Sequence, residues 1–241
     1  MTIITKDKIS IPVLAKAKGW LVVDKPCGLS IHNKPGADLC SILKSYIESA
    51  PLICKQTYYD PGFGIHAVNR LDKETSGVML LACRSDIFRY YSKQFEKQTI
   101  QKHYVALLHG NLQVPEVDNI WGVWDKALSK EAGGRHSPAG KGKLVKCLTR
   151  YRVMRHTPHY TLIECELLTG RKHQIRRHAK LAGHSVVGDQ RYSTLRSLKY
   201  LKEKCGFDRL GLHSMSITIQ PPDKSRSEIF QSLGYFDWNS S

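Results

Sequence analysis

The residues from His66 to Gly77, with the sequence HAVNRLDKETSG, combine groups that can do chemistry with residues that favour a loop. Asp72 stands between Arg70 and Lys73, and nearby positive charge keeps a carboxylate ionised. An ionised carboxylate can act as a nucleophile or as a general base at neutral pH. Solvated surface loops carry the same kind of charge cluster, so this segment alone leaves both interpretations open.

The overall charge favours a polyanionic partner. The chain has 37 Lys and Arg against 21 Asp and Glu, a formal net charge of +16. Residues 141–180 contain 11 Lys and Arg and two acids, Glu164 and Glu166. A field of one sign is typical of nucleic-acid-binding proteins, so RNA or DNA is the leading partner. A membrane surface fits less well, because the sequence has no apolar span of about 20 residues and no long basic amphipathic helix.

The hydrophobic pattern alternates between strands and helices. Strands are predicted at 20–24, 78–82, 102–108, 144–155, 159–168 and 212–219, and helices at 38–49, 85–95, 172–181, 196–204 and 226–233, with Ser85 as an N-cap. Several short connections suit antiparallel pairing, which favours an α+β fold with a mixed sheet over a doubly wound fold. Residues 126–143 are rich in Gly, Lys, Ser and Ala and predict a long mobile loop, which either orders on RNA or stays solvated.

Other patterns narrow the class of protein. At 241 residues and 41% hydrophobic content, the chain can bury the core of one large domain or two small ones. The apolar run 9–15 contains Pro12 and is flanked by lysines, so it does not resemble an export signal and we expect a cytoplasmic protein. The seven cysteines form no Cys-x-x-Cys pair and predict reduced thiols. No cofactor motif is present, and His173 and His178 are five residues apart, so we expect neither a cofactor nor a metal site.

Six segments follow one another in one order: 20–30 (WLVVDKPCGLS), 66–77, 101–110 (QKHYVALLHG), 169–178 (TGRKHQIRRH), 183–189 (GHSVVGD) and 210–214 (LGLHS). Together they resemble the successive motifs of the RluA family of RNA pseudouridine synthases over about residues 20 to 222. In Lys172 and the pair Arg176-Arg177, the fourth segment is similar to the tRNA pseudouridine synthase C subfamily.

The resemblance implies a fold and a domain arrangement. The expected fold is the pseudouridine synthase fold, α+β with a mixed, largely antiparallel central sheet flanked by helices and loops. Residues 1–19 would form an N-terminal extension and residues 20–241 the catalytic domain. No separate N-terminal RNA-binding domain is expected, so RNA would be bound by the catalytic domain itself. We expect a monomer without a protein partner.

The resemblance also implies an isomerisation, in which a uridine of transfer RNA or large-subunit ribosomal RNA becomes pseudouridine without a cofactor. Asp72 matches the catalytic aspartate, as nucleophile or base. Tyr104 matches the tyrosine that stacks on the uracil, although a buried strand tyrosine would have the same pattern. Arg176 matches the basic residue that pairs with the aspartate, although a phosphate contact is the alternative.

Several substrate-binding residues follow from the same resemblance. Arg70 matches an arginine that enters the stack of bases in place of the flipped uridine. Leu212 matches an apolar wall beside the uracil, with core packing as an equal alternative. The other expected substrate-binding residues are Arg171, His173 and Gln174.

One departure and two rival functions remain. Asn69 stands where the family commonly has histidine, which puts any ring-specific hydrogen bond there in doubt. A catalytically silent RNA-binding relative and a nucleosidase that hydrolyses the glycosidic bond are the rival functions. The second would need another carboxylate to activate water, and no motif supplies one.

Overall fold

The fold is given by a computed structural model that describes residues 2–4, 9–113, 121–232 and 234–235. The chain divides into two compact units. The first comprises Met1–Lys102 and Ser214–Tyr235, and the second comprises His103–His213 and Phe236–Ser241. The sequence prediction of one catalytic domain after residue 19 stays a prediction.

The strands are β1 (Thr2–Ile4), β2 (Ser10–Ala17), β3 (Trp20–Lys25), β4 (His66–Ala67), β5 (Ser76–Ala82), β6 (Gln101–His109), β7 (Gly122–Trp124), β8 (Leu128–Ser129), β9 (Leu144–Val145), β10 (Thr149–His156), β11 (Tyr160–Leu167), β12 (Leu212–Ile219) and β13 (Glu228–Gln231). The helices are α1 (Leu39–Ser49), α2 (Pro51–Thr57), α3 (Ser85–Glu96), α4 (Gln174–Leu181) and α5 (Leu195–Cys205). Among the described residues, no helix has the length and apolar character needed to span a bilayer.

The first unit is built on a sheet with strand order β1, β2, β3, β5 and β12, with β4 beside β5 and β13 beside β12. Strands β3 and β5 pair antiparallel, with Val22 opposite Leu80. Both residues are fully buried and belong to the core cluster that packs against Tyr91 of α3. Strand β5 is buried along its whole length and β3 along most of it, so burial on both faces explains the apolar runs that predicted these strands from the sequence.

The second unit has the strand order β6, β11, β10 and β7, together with the short ribbon formed by β8 and β9. All of these strand pairs are antiparallel, and Tyr104 of β6 lies opposite Cys165 of β11. Antiparallel pairing in both units agrees with the predicted α+β fold. In the second unit the sheet supports Tyr104, and helix α4 carries Arg176.

The structure corrects the sequence prediction in several elements. The helix predicted at 226–233 is the strand β13, and Leu233 lies outside the described residues. Phe230 pairs with Ile217 of β12, and its ring centroid lies 5.6 Å from that of Trp20, a contact distant in sequence. The short helix α2 was not predicted, and Ser85 begins α3 instead of capping it. The predicted strand 144–155 is two strands, β9 and β10.

Candidate active site

The loop that carries Asp72 is anchored by the side chain of Lys25. This lysine is fully buried at the end of β3, and its ammonium group donates hydrogen bonds to the carbonyls of Leu29, at 2.9 Å, and Lys73, at 3.0 Å. The backbone N–H of Gly28 donates to the same Lys73 carbonyl at 3.0 Å. Two donors, one at the end of β3 and one in the turn after it, therefore hold the peptide next to Asp72. The residues next to Lys25 in the sequence do not indicate this role.

Asn69 has a structural role in the same loop. Its side-chain oxygen accepts a hydrogen bond from the N–H of Leu80 at 2.9 Å, while the N–H of Val68 donates to the carbonyl of Leu80 at 2.9 Å. Strand β4 ends at Ala67, so the amide of Asn69 satisfies a buried donor that the strand no longer reaches. Asparagine fits this position without any requirement for an imidazole ring.

Gly77 closes the loop at the start of β5. It has φ of +112°, and a Cβ atom at this position would lie 2.2 Å from the carbonyl oxygen of Ser214. A side chain here would push β5 away from β12, so only glycine fits. Between these anchors Asp72 is half-buried, whereas Arg70 and Lys73 are exposed. The loop thus carries two half-buried carboxylates, Asp72 and Glu74, and its backbone anchors hold the peptide next to Asp72 in place.

In the second unit, Tyr104 and Leu212 are both buried. Tyr104 is 5% exposed, within the β6 strand. Leu212 follows Gly211, whose carbonyl accepts the N–H of Leu107 at 2.9 Å and whose N–H donates to Val187 at 2.8 Å. These bonds tie the segment before Leu212 to β6. The predicted contacts of both residues with uracil stay predictions.

The turn before α4 uses two of the predicted substrate-binding residues internally. The amide of Gln174 accepts from Thr169 Oγ1 and from the N–H of Arg171, and it donates to Leu148 and to Thr149 Oγ1, all within 3.0 Å. These four hydrogen bonds use both acceptor sites and both N–H donors of the glutamine amide, which argues against a hydrogen bond to RNA. His173, with φ of +54°, has its Nδ1 atom 3.2 Å from the hydroxyl of Tyr192. Arg171 is exposed.

Arg176 is buried and makes a two-point ion pair inside the second unit. Its Nε donates to Asp189 Oδ2 at 2.7 Å and its Nη2 donates to Asp189 Oδ1 at 2.8 Å. The ring of Tyr192 lies 5.5 Å from the guanidinium carbon. Asp189 is the last residue of the segment 183–189, and its neighbours in the sequence do not indicate this ion pair. A role of Arg176 beside Asp72 stays a prediction.

The neighbouring Arg177 holds the loop that the sequence predicted to be mobile. Its fully buried guanidinium donates to the backbone carbonyls of Ser129 at 3.1 Å, Pro138 at 2.6 Å and Ala139 at 2.5 Å. Arg191 donates to Ala132 and Gly133 in the same loop at 2.6 and 2.7 Å. Two arginines therefore bind carbonyls of this loop, and the short strand β8 lies within it, while its mobility and its ordering on RNA stay predictions.

The positive block at 141–180 is not one continuous surface. Arg176 and Arg177 are buried. Arg150 pairs with Glu166 at 2.9 Å, and Arg152 pairs with Glu164 at 2.5 Å, beneath the ring of Trp121. The exposed cations of the block are Lys141, Lys143, Lys146, Arg155, Arg171 and Lys172. Of the 11 lysines and arginines in the block, two are therefore buried and two more are paired with glutamates.

Two buried histidines of the second unit are held neutral. His178 has Nδ1 at 2.9 Å from Thr149 Oγ1 and Nε2 at 2.9 Å from the carbonyl of Lys126, and burial lowers its pKa. His213 is 3% exposed, and burial, with the charge of Arg209, lowers its pKa to about 4. His178 therefore serves as a structural hydrogen-bonding group. Among the described residues, no group of three metal-ligating side chains is assembled.

Comparisons with known proteins agree with these features. Residues 19–181 match the family described as RNA pseudouridylate synthase. The chain is 29% identical over 222 residues to tRNA pseudouridine synthase C of Haemophilus ducreyi, covering 89% of this chain and 87% of that protein. It is 31% identical over 205 residues to ribosomal large subunit pseudouridine synthase C of Vibrio vulnificus, covering 84% of this chain and 59% of that protein.

Solved structures give the same fold. Human RNA pseudouridylate synthase domain containing 1 superposes with a TM-score of 0.69 at 20% identity, covering 93% of this chain and 83% of that one. Human RNA pseudouridylate synthase domain containing 4 gives a TM-score of 0.68 at 24% identity, covering 92% and 87%. Because the family match covers well over half of the residues and the fold agrees, this chain belongs to the RNA pseudouridylate synthase family.

Proposed function

We propose that this RNA pseudouridine synthase isomerises a uridine of transfer RNA or large-subunit ribosomal RNA, with Asp72 as its catalytic carboxylate. In the reaction, the bond from N1 of uracil to the ribose breaks, the base turns, and carbon 5 forms a bond to the same sugar carbon. Carbon 5 loses its proton and N1 gains one, so the product has the composition of the substrate. The proposed reaction uses no cofactor.

The observation that carries this proposal is the fixed, half-buried position of Asp72. Lys25 and Gly28 hold the neighbouring Lys73 carbonyl, and the N–H of Thr75 donates to the carbonyl of Asp72 at 3.1 Å. Breaking a glycosidic bond builds positive charge on the sugar, and a carboxylate held in place can stabilise it, trap it or remove a proton. Either a nucleophilic or a basic role is compatible with this arrangement.

The other residues take the roles that the family resemblance gives them. We assign Tyr104 to stacking on the uracil and Arg176 to holding the catalytic carboxylate ionised. Arg70 is exposed on the Asp72 loop, which suits a side chain that replaces a flipped base. Leu212 supplies an apolar wall. Action as a monomer in the cytoplasm stays a prediction from the sequence.

Transfer RNA is the first substrate to test. The relative named for transfer RNA is matched over 87% of its length, whereas the first large-subunit relative is matched over 59%. The similarity of Lys172, Arg176 and Arg177 to the tRNA pseudouridine synthase C subfamily points the same way. Mapping the pseudouridines that are missing from a deletion strain would identify the RNA and the position.

The reaction itself is tested with RNA that carries tritium at carbon 5 of uridine. Isomerisation releases this tritium to water while the base stays attached to the RNA. Release without free uracil is the expected result for transfer RNA or large-subunit ribosomal RNA. Free uracil would mean hydrolysis by a nucleosidase, and RNA binding without tritium release from either RNA would mean a catalytically silent relative.

A further inference from the structure

The buried carboxylate of Asp189 organises the surroundings of Arg176. It is fully buried and accepts the two hydrogen bonds from Arg176 described above. Its Oδ1 atom also accepts the backbone N–H groups of Arg191 at 2.9 Å and Tyr192 at 3.1 Å. The carboxylate therefore ties one guanidinium to the turn that follows Gly188.

The backbone around Asp189 leaves this turn little freedom. Gly188 has φ of +72°, and a Cβ atom there would lie 1.8 Å from the carbonyl oxygen of Arg209. Just before it, the N–H of Val187 donates to the carbonyl of Leu107 at 2.8 Å, and Val186 forms a β-bridge with Leu108. Leu107 and Leu108 belong to β6, the strand that carries Tyr104. Asp189 thus links α4 to the strand of the candidate active-site tyrosine.

The ion pair with Asp189 engages one edge of the Arg176 guanidinium. Asp189 engages the edge of the guanidinium formed by Nε and Nη2, and the Tyr192 ring lies 5.5 Å from its carbon atom. A guanidinium held at one edge and near one face can turn little, while its Nη1 edge points away from Asp189. An arginine fixed in this way needs little reorganisation when it meets a second anion.

From this arrangement we infer that Asp189 is a positioning residue, which holds the guanidinium of Arg176 in its working orientation relative to Tyr104. Stability alone does not account for the pair, because a buried ion pair is often no more stabilising than apolar residues of similar volume. The backbone N–H groups of Arg191 and Tyr192 would be satisfied equally by a neutral oxygen. This inference rests on the proposed function in one respect, that Arg176 takes part in catalysis.

The kinetic test uses Asp189→Asn, which keeps the shape and one oxygen acceptor but loses the charge and the two-point pair. We expect kcat to fall about 100-fold, the scale of a small misplacement in an active site, while the Kd for RNA stays within about two-fold. In an Arg176→Gln background the same change should have little further effect on kcat, because Asp189 acts through Arg176. An unchanged kcat, or a loss that adds fully to that of Arg176→Gln, would overturn the inference.

A matched control removes another carboxylate partner of an arginine in the same unit. Glu166→Gln breaks the pair with Arg150, which is partly exposed, and it should leave kcat within about two-fold. If this variant lost as much activity as Asp189→Asn, the effect would be a general loss of structure and the inference would fail.

An NMR measurement on the protein alone tests the positioning role without any enzyme activity. Its outcome is therefore independent of the proposed function. In wild-type protein with ¹⁵N-labelled arginine, the Nη protons of Arg176, assigned with Arg176→Gln, should be resolved because rotation is hindered. In Asp189→Asn the guanidinium should rotate more freely, so the signals of its Nη protons should average. Averaged signals in the wild type would refute the positioning role even if the enzyme were active. Resolved signals would support it even if neither RNA proved to be a substrate.

Discussion

At the scale of single residues, Lys25 binds the peptide next to Asp72, and Asp189 binds the guanidinium of Arg176. Lys25 stands before a Pro-Cys-Gly turn, where a lysine is normally a solvated charge. Its partner Lys73 is 48 residues away, and Asp189 is 13 residues from Arg176. Both roles depend on tertiary contacts, so no pattern of neighbouring residues could have indicated them. The only sign in the sequence was that Lys25 and Asp189 lie within two of the segments that resemble the RluA family, 20–30 and 183–189.

Replacing Lys25 by Met should destabilise the protein while keeping most of the apolar volume. The carbonyls of Leu29 and Lys73 would lose the hydrogen bond from the buried ammonium, although that of Lys73 keeps the one from the Gly28 N–H, at a cost of about 3 kcal/mol in the free energy of unfolding. Urea denaturation measures this loss. Lys73→Met is the matched control, because the Lys73 side chain is exposed and only its backbone carbonyl is bound. Equal stability of the two variants would contradict the role assigned to Lys25.

At the scale of elements, the sequence predicted what local periodicity controls. Alternating or continuous apolar residues identified β3 and β5, and the spacing of Leu39, Leu43 and Ile47 identified α1. Strand β13 was predicted as a helix because its apolar residue Phe230 packs against β12 and Trp20, which lie far away in sequence. The loop at 126–143 was predicted as mobile because Arg177, which binds its carbonyls, belongs to α4.

Arg177 should determine the order of that loop. Arg177→Lys replaces a planar group with several donors by a single ammonium, and it should cost about 2 to 4 kcal/mol of unfolding free energy. It should also speed cleavage by trypsin after Lys130 and Arg135, which a time course of limited proteolysis would measure. Arg171→Lys, on an exposed residue near the same helix, is the control. Unchanged cleavage in the Arg177 variant would contradict the anchoring role.

At the scale of the whole molecule, the net charge of +16 overstates the charge available to RNA. Part of the 141–180 block is buried or paired with glutamates, which a count of residues does not reveal. Exposed cations of the second unit, such as Lys141, Lys143, Arg171 and Lys172, are therefore the better candidates for phosphate contacts. Antiparallel pairing in both units agrees with the fold class that the sequence predicted, because short connections limit the available topologies.

Removing four exposed cations should reduce the salt dependence of RNA binding. In a variant with Lys141, Lys143, Arg171 and Lys172 changed to Gln, each lost phosphate contact should make the slope of log K against log salt shallower by about 0.7 to 0.9. Fluorescence anisotropy at several salt concentrations measures the slope. The control changes four exposed lysines of the first unit to Gln: Lys44, Lys55, Lys93 and Lys97. Equal slopes in the two variants would mean that net charge alone controls affinity.

The stability of the protein should fall in mild acid because His213 is buried as the neutral ring. Burial lowers its pKa from 6.5 to about 4, so the unfolded chain takes up a proton at a higher pH than the folded protein. The stabilisation that comes from neutral His213 is therefore fully present above about pH 6.5 and is lost as the pH falls towards 4. This loss lowers the free energy of unfolding by about 3 kcal/mol.

Urea denaturation between pH 7.5 and pH 4.5 tests this contribution. His213→Gln should show a smaller loss of stability across that range than the wild type. His109 and His178, whose pKa values are also lowered by burial, should give the remaining loss. The same fall in both proteins would show that His213 does not titrate as proposed.

The most direct test of the account is the turnover of Asp72→Asn on RNA labelled with tritium at carbon 5 of uridine. We expect tritium release to fall at least about 1,000-fold, because the amide can act neither as nucleophile nor as base, while the Kd for RNA stays within about two-fold. Asp86→Asn, which removes an exposed carboxylate paired with Arg84, should retain normal turnover. Turnover by Asp72→Asn close to that of the wild type would contradict the assignment of Asp72 as the catalytic carboxylate.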